Sequence, residues 1–332
     1  MDKNNGIDLR RRALAGALAL GLAAPAAIAQ AQPAYPSKPI RLVTPFPPGG
    51  AADTLARALG KSMNEATGTP VVVENRAGAG GTIGTATVAK AEPDGYTLLL
   101  GNVSTLATAP SLYAKLPYDP LRDFTPITLV GRSPLVFSVG PGVQAGTLPE
   151  LVALAKSDPG KLNYGSSGAG SITHLTGELL NIAAEGSMVH VPYKGSAPVV
   201  MAMMSGELDV GVTQVAEMLQ QYRAGQVRPL AITGTRRLDV VPQVPTAQEL
   251  GVPNLEATTW YAVVAPQGLP PQVAQTLQAM MAKALDNPEF RKRYADEGLI
   301  LESSSSEALA ELMRKEVASW AEVVKRSGVR LD

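Results

Sequence analysis

The chain is 332 residues long, 45% hydrophobic and 17% charged, with 29 Lys+Arg against 29 Asp+Glu. That length suits about two domains, and the apolar fraction supports a sizeable core, which excludes bulk disorder. Zero net charge argues against a nucleic-acid binder, while no cysteine and only two histidines, His174 and His190, exclude disulfides, thiolate or His-rich metal centres and cysteine nucleophiles.

Arg10-Arg11-Arg12 precedes an uncharged Ala/Leu/Gly run over residues 13–24, and Ala29-Gln30-Ala31 supplies a small-x-small site. This order predicts a signal peptide over residues 1–31. The run is shorter than the ~20 residues a membrane span requires. Cleavage after Ala31 removes four basic and two acidic residues, leaving a slightly acidic chain. With no cysteine for lipidation, the expected product is an exported, freely diffusing periplasmic protein without a lipid anchor.

Beyond the leader, strand and helix patterns alternate, which predicts an α/β fold with mainly parallel sheets. Residues 40–44 read as a strand and 51–67 as a helix with apolar Leu55, Ala58, Leu59 and Met63 at helical spacing. A strand at 71–74, a glycine-rich loop, a helix at 82–91 and a strand at 96–101 follow. Strands are expected at 134–139, 162–166, 188–191, 208–213, 230–234 and 258–265. Helices are expected at 148–157, 171–184 and 197–205. The tail is helical over 270–285, 288–297 and 306–326, with Pro271 in a first turn and Ser305 or Ser306 as a cap. Pro134 and Pro253 mark places for the chain to cross between domains.

Two strand–loop–helix junctions carry the chemistry. The first is Pro45-Phe46-Pro47-Pro48-Gly49-Gly50-Ala51-Ala52-Asp53, the second Tyr164-Gly165-Ser166-Ser167-Gly168-Ala169-Gly170-Ser171. Helix N-termini expose unpaired N–H groups and partial positive charge, so each junction can seat a carboxylate or phosphate. In the second, Ser166, Ser167, Ser171 and Thr173 add hydroxyls. The first equally suits a tight turn capped by Asp53, and the sequence does not separate the two readings. A third segment, Gly78–Ala79–Gly80–Gly81–Thr82–Ile83–Gly84, imitates a dinucleotide fingerprint but places Ile83 at its sixth position; close backbone packing is the expectation there.

Catalysis is poorly supported. The sequence Gly165-Ser166-Ser167-Gly168-Ala169 misses Gly-x-Ser-x-Gly by one place. His174 follows Ser167 too closely for a conventional triad and reads as a loop brace, and His190 as structural. No carboxylate pair or metal spacing stands out. No catalytic residue, metal or cofactor is expected.

Further motifs give the chain a specific order. They are Val73-Glu74-Asn75-Arg76, Asp94-Gly95-Tyr96, Leu116-Pro117-Tyr118-Asp119-Pro120, Val191-Pro192-Tyr193-Lys194-Gly195, Val244-Pro245-Thr246 and Ala265-Pro266 with Gly268. Together with the two junctions and His174, they resemble the periplasmic receptors of tripartite tricarboxylate transporters, the Bug receptors. The resemblance implies a two-lobed periplasmic-binding-protein fold, type II-like, with a ligand cleft between lobes at 36–134 plus 256–332 and 135–255. It implies a small carboxylate as ligand, a membrane permease as partner, no nucleic acid and a monomer. Carried over by position, Phe46, Gly49, Gly50 and Asp53 line one side of the cleft, and Ser166, Gly168, Gly170 and Ser171 the other. Asn102, Tyr193, Gln214 and Trp260 are candidates for the ligand's far end, with Ser104, Lys194 and Tyr261; core packing is the alternative for Trp260 and Tyr261. Many members carry an acid where this chain has Thr213, which favours a ligand without an amino group. A sensor input for a histidine kinase and, from another class, a secreted serine hydrolase using Ser167 or Ser171 are the competing functions.

Overall fold

The computed structural model describes residues 35–331. The expected signal peptide lies outside the described residues. From Lys38 onward the chain forms one compact unit.

Strand β1 (Ile40–Thr44) leads into α1 (Ala51–Thr67), whose buried face is Leu55, Ala56, Leu59 and Met63. Gly68, at φ 73°, ends α1 by donating its N–H to Asn64 O. Glycine takes this left-handed conformation without a Cβ penalty. Then come β2 (Val71–Asn75), a 3₁₀ turn (Ala79–Gly81), α2 (Thr82–Ala89) and β3 (Thr97–Asn102). A π-helical turn (Ser104–Thr108) runs into α3 (Ala109–Leu112) and on to the long β4 (Phe124–Val139).

Next are α4 (Leu148–Ser157), β5 (Asn163–Ser166), α5 (Ile172–Ala184), β6 (Val189–Pro192) and α6 (Ser196–Ser205). They are followed by β7 (Val210–Gln214), α7 (Val215–Arg223) and β8 (Arg228–Ile232). The chain returns through β9 (Thr258–Pro266) to α8 (Pro271–Leu285), α9 (Pro288–Asp296), β10 (Ile300–Leu301) and α10 (Ser306–Ser327).

The sheet order is β2-β1-β3-β9-β4-β7-β5-β6, with β8 and β10 also on β4. The expectation of a mainly parallel sheet needs correction: the arrangement is mixed. The outer pairs β1–β2, β1–β3, β5–β6 and β5–β7 are parallel, but every pairing of β4 and β9 is antiparallel. These two strands carry the chain across the middle in opposite directions. Along β4 the partner changes at one place: Phe124 to Pro134 pair with β9, and Leu135 to Val139 with β7. Pro134, which has no N–H to donate to a ladder, is the last residue of the first set.

Several other elements went unpredicted, the short β10 among them. The first half of β4 carries Pro126 and Gly131, which obscure a strand pattern; the structure accommodates them at register shifts between Pro126 and Thr128 and between Leu129 and Gly131. The π turn and α3 contain Pro110. Helix α7 starts with a capping box in which Gln214 and Glu217 bond reciprocally. Gln is not among the usual N-cap residues, so the start signal was weak.

One large apolar cluster runs from Val43, Leu99 and Leu129 through Phe137, Tyr164 and Leu175 to Trp260 and Trp320. It spans both halves of the sheet. Two smaller clusters lie beside it, one around Val136, Val215 and Ile232, the other around Val199, Met203 and Met218.

Candidate functional site

The first junction follows β1. Gly49 sits at φ 81° and donates its N–H to Asp53 Oδ2 at 2.9 Å. Asn75, at the end of β2, donates to Asp53 Oδ1 at 2.9 Å and to Phe46 O at 3.1 Å. Arg57, one turn further along α1, adds a 3.2 Å bond from Nε to Asp53 Oδ2. Burial by itself would raise the Asp53 pKa, but the bonds from Gly49, Arg57 and Asn75 outweigh it and hold the carboxyl below its ordinary value. Asp53 is only 4% exposed. Its carboxylate therefore braces the loop from inside instead of lining open surface. Gly50, Ala51, Ala52 and Asp53 present backbone N–H groups that have no protein acceptor among the described residues. That is the expected state of an uncapped helix N-terminus.

The glycines of the third segment serve packing. A Cβ on Gly84 would lie 2.4 Å from Arg76 O and 2.9 Å from Pro45 Cα, and one on Gly81 would meet Thr105 at 2.7 Å and the Phe46 ring at 3.3 Å. The segment thus supports the first loop from behind.

The second junction follows β5. Ser171 is the N-cap of α5: its hydroxyl accepts from His174 N–H at 3.2 Å and donates to Gly168 O at 2.6 Å. Thr173 Oγ1 accepts from Ser167 N–H at 2.9 Å and lies within 3.0 Å of the Ser167 and Ser171 hydroxyls. Gly170 N–H donates to His174 Nδ1 at 2.9 Å, and Ser166 Oγ lies 2.7 Å from His190 Nε2. The two imidazoles stack with centroids 3.6 Å apart and planes 8° apart. Tyr164 continues the stack 5.0 Å from His190 and donates its hydroxyl to Glu178 Oε1 at 2.6 Å. Burial lowers both histidine pKa values to about 4, and for His174 the neighbouring His190 adds to the shift. Ala169, Ile172 and Thr173 have N–H groups without a protein acceptor among the described residues.

The two loops are joined by one segment. Thr105, in the π turn, and the Phe46 ring both pack against Gly81, while Leu112, at the end of α3, comes within 3.3 Å of where a Gly170 Cβ would be. Seven residues of helix span roughly 10 Å.

The structure brings Phe46, Gly49 and Gly50 together in one loop and Ser166, Gly168, Gly170 and Ser171 in the other. Several side chains depart from the expected lining. Ser166 is fully buried and turned toward His190, and Gly170 N–H points inward to His174. Trp260 is fully buried and donates its indole N–H to Glu316, which also accepts from Trp320. It lies in the first half of β9, facing α10, and is part of the large apolar cluster. Asn102 Oδ1 accepts from the N–H groups of Ser104 and Thr105, and Gln214 caps α7. Tyr193 is half-buried and anchors to the second loop by donating its N–H to Ser166 O at 3.0 Å. Sequence reasoning did not foresee the bracing roles of Asn75 and Thr173, and it read His190 as structural without its contact to the loop. The only available signal was the position of polar residues at the end of β2, in the first turn of α5 and within β6.

Residues 55–329 match the family described as the tripartite tricarboxylate transporter family receptor. The chain belongs to this family. Solved structures agree. The periplasmic binding protein BugD is 35% identical over 89% of this chain and 99% of its own, with a TM-score of 0.77. R. palustris Rpa4515 with adipate is 32% identical over 89% of this chain and 98% of its own, with a TM-score of 0.79. MatC (Rpa3494) from Rhodopseudomonas palustris with bound malate is 33% identical over 87% of this chain and 100% of its own, with a TM-score of 0.76. The fold is therefore the two-lobed periplasmic-binding-protein fold. Among the described residues no three His, Asp or Glu side chains are grouped to hold a metal ion, and no helix is long and apolar enough to cross a membrane.

Proposed function

We propose that this chain is a non-catalytic periplasmic receptor that captures a small organic carboxylate and presents it to the permease of a tripartite tricarboxylate transporter. The observation that carries this reading is the pair of helix N-termini with unpaired N–H groups, at Gly50–Asp53 and at Ala169, Ile172 and Thr173, joined by the Thr105–Leu112 segment. Each helix end favours an anion by about 0.3–2 kcal/mol, and hydrogen bonds to a charged group add about 1.5–3 kcal/mol each. A few such contacts reach the ~8 kcal/mol of micromolar binding. Relatives that hold adipate and malate support a dicarboxylate. Thr213 is buried and uncharged, which favours an acid without an ammonium group.

The lobes in this reading are 36–134 with 256–332, and 135–255. The exchange of partners on β4 at Pro134/Leu135 and the start of β9 opposite it, at Thr258, support these limits. Export by a removable leader of residues 1–31 belongs to the same proposal.

The Ser166–His190 contact imitates a nucleophile and base, but Ser166 is fully buried and offers no path to a substrate. Esters of the bound acid are expected to stay intact.

The test is a thermal-shift screen of the chain without residues 1–31 against mono-, di- and tricarboxylates. Ligand at a hundredfold excess over Kd adds about 2.7 kcal/mol of stability. At least one small dicarboxylate should raise Tm clearly. If every class leaves Tm unchanged, the receptor reading falls.

A further inference from the structure

The second loop owes its shape to groups that do not face the cleft. Gly170 donates its N–H to His174 Nδ1, so that nitrogen must carry a lone pair and the ring proton sits on Nε2, on the side of Glu178 Oε1 at 3.9 Å. His190 meets the other end of the loop through Nε2 at Ser166 Oγ. Stacking at 3.6 Å locks the two rings to each other. The stack is fixed in turn by Tyr164, whose ring leaves no space for a side chain at residue 177: a Cβ on Gly177 would lie 2.1 Å from it. Gly170 N–H and Ser166 Oγ are held by the two rings, while the neighbouring N–H groups of Ala169, Ile172 and Thr173 have no protein acceptor among the described residues. The titratable groups in contact with the pair are Glu178 and Tyr164.

From this geometry we infer that His174 and His190 are positioning residues of the carboxylate grip, each through one specific ring nitrogen. The inference rests on the receptor reading above and adds a rule that reading does not contain. Position 174 needs an acceptor at the Nδ1 place, close to the backbone. Position 190 needs a polar group at the more distant Nε2 place. Asn reproduces the first position and Gln the second, so the tolerated substitutions should cross over.

The experiment compares His174→Asn with His174→Gln, and His190→Gln with His190→Asn, in otherwise intact protein. Hydrogen exchange at the Gly170 amide is the readout that needs no ligand. It should stay within threefold of wild type in His174→Asn and speed up at least tenfold in His174→Gln. Affinity for malate and adipate, used as probes, should stay within threefold in His174→Asn and His190→Gln. It should fall at least tenfold in His174→Gln and His190→Asn, with Tm in the absence of ligand similar within each pair. A merely structural role would follow side-chain volume and rank Gln above Asn at both positions. That ranking, or equal Gly170 exchange in the two position-174 variants, overturns the inference while leaving the receptor reading intact. If neither probe binds wild-type protein, the exchange pattern decides the bracing alone, and the thermal-shift screen decides the receptor reading.

Discussion

Ala51 is the first residue of α1, exposed, with an N–H that finds no acceptor among the described residues. Proline is well tolerated at this helical position, because the N–H it lacks would have no intrahelical partner. The preceding Gly50, at φ −78° and ψ 170°, already has the extended backbone that a following proline requires. Ala51→Pro should therefore leave the unliganded Tm within about 1 °C of wild type. If the N–H grips a carboxylate, the same change removes one charge-assisted hydrogen bond of about 1.5–3 kcal/mol, a loss of roughly 10- to 150-fold in affinity. Calorimetric titration with whichever acid the thermal-shift screen yields would measure it, and an affinity within twofold of wild type would remove the α1 N-terminus from the binding surface. At this scale the sequence was a good guide to loops and a poor one to side chains. Gly49, Gly50, Gly168 and Gly170 all lie where a strand turns into a helix. Asp53, Ser166 and Trp260, by contrast, serve the protein's interior. Their residue types suit bracing and ligand contact equally, and only the three-dimensional neighbours (Asn75, His190 and Glu316) separate the two.

At the scale of elements, the glycine-rich segment after β2 bears weight for the first loop. An added methyl at Gly84 meets two backbone groups, Arg76 O and Pro45 Cα, neither of which can rotate away as a side-chain tip would. Gly84→Ala should cost about 1–3 kcal/mol, the range for inserting a methyl into a filled site. Gly142→Ala is the control: nothing lies within 4 Å of its Cβ position, and its stability should stay within about 0.5 kcal/mol of wild type. Urea midpoints at unchanged m value would report both, and equal midpoints for the two variants would contradict the packing role. Elements with strong periodicity and ordinary caps were readable in advance, as in α1 and in α4 with its Thr147 cap. Strand β4 was only half visible. Its prolines are acceptable because of register shifts and a change of partner, both of which are properties of the sheet and not of the segment. The mixed direction of the sheet was hidden for the same reason, since it follows from where β4 and β9 meet.

For the whole molecule, the buried His174 and the half-buried His190 link stability to pH. Both have folded-state pKa values of about 4, against an ordinary 6.5. Between those values the unfolded chain binds more protons than the folded one, so stability rises with pH. The contribution is complete above about pH 6.5 and is lost progressively as pH falls toward 4, with a slope of up to about 1.4 kcal/mol per pH unit for each histidine. Other acidic groups act near this region, Glu217 and Asp53 from buried sites and Glu185, Glu249 and Glu307, whose pKa values hydrogen bonds hold low, from the surface. Burial raises the Glu217 pKa in spite of its bonds to Gln214 and Ser196, so the protonation of Glu217 on acidification favours the folded state and opposes the loss. The lowered pKa of Asp53 places its stabilising share above the unfolded value of about 3.8, and that share is lost only at still lower pH. The histidines can be isolated from all of these with the double variant His174→Asn/His190→Gln, which keeps the hydrogen-bonding positions and removes the titration. Urea midpoints for wild type should fall from pH 7 to pH 5 more steeply than those of the variant, while the two proteins converge in slope above pH 7. Identical slopes between pH 7 and 5 would mean that the stacked pair does not titrate as a buried neutral unit.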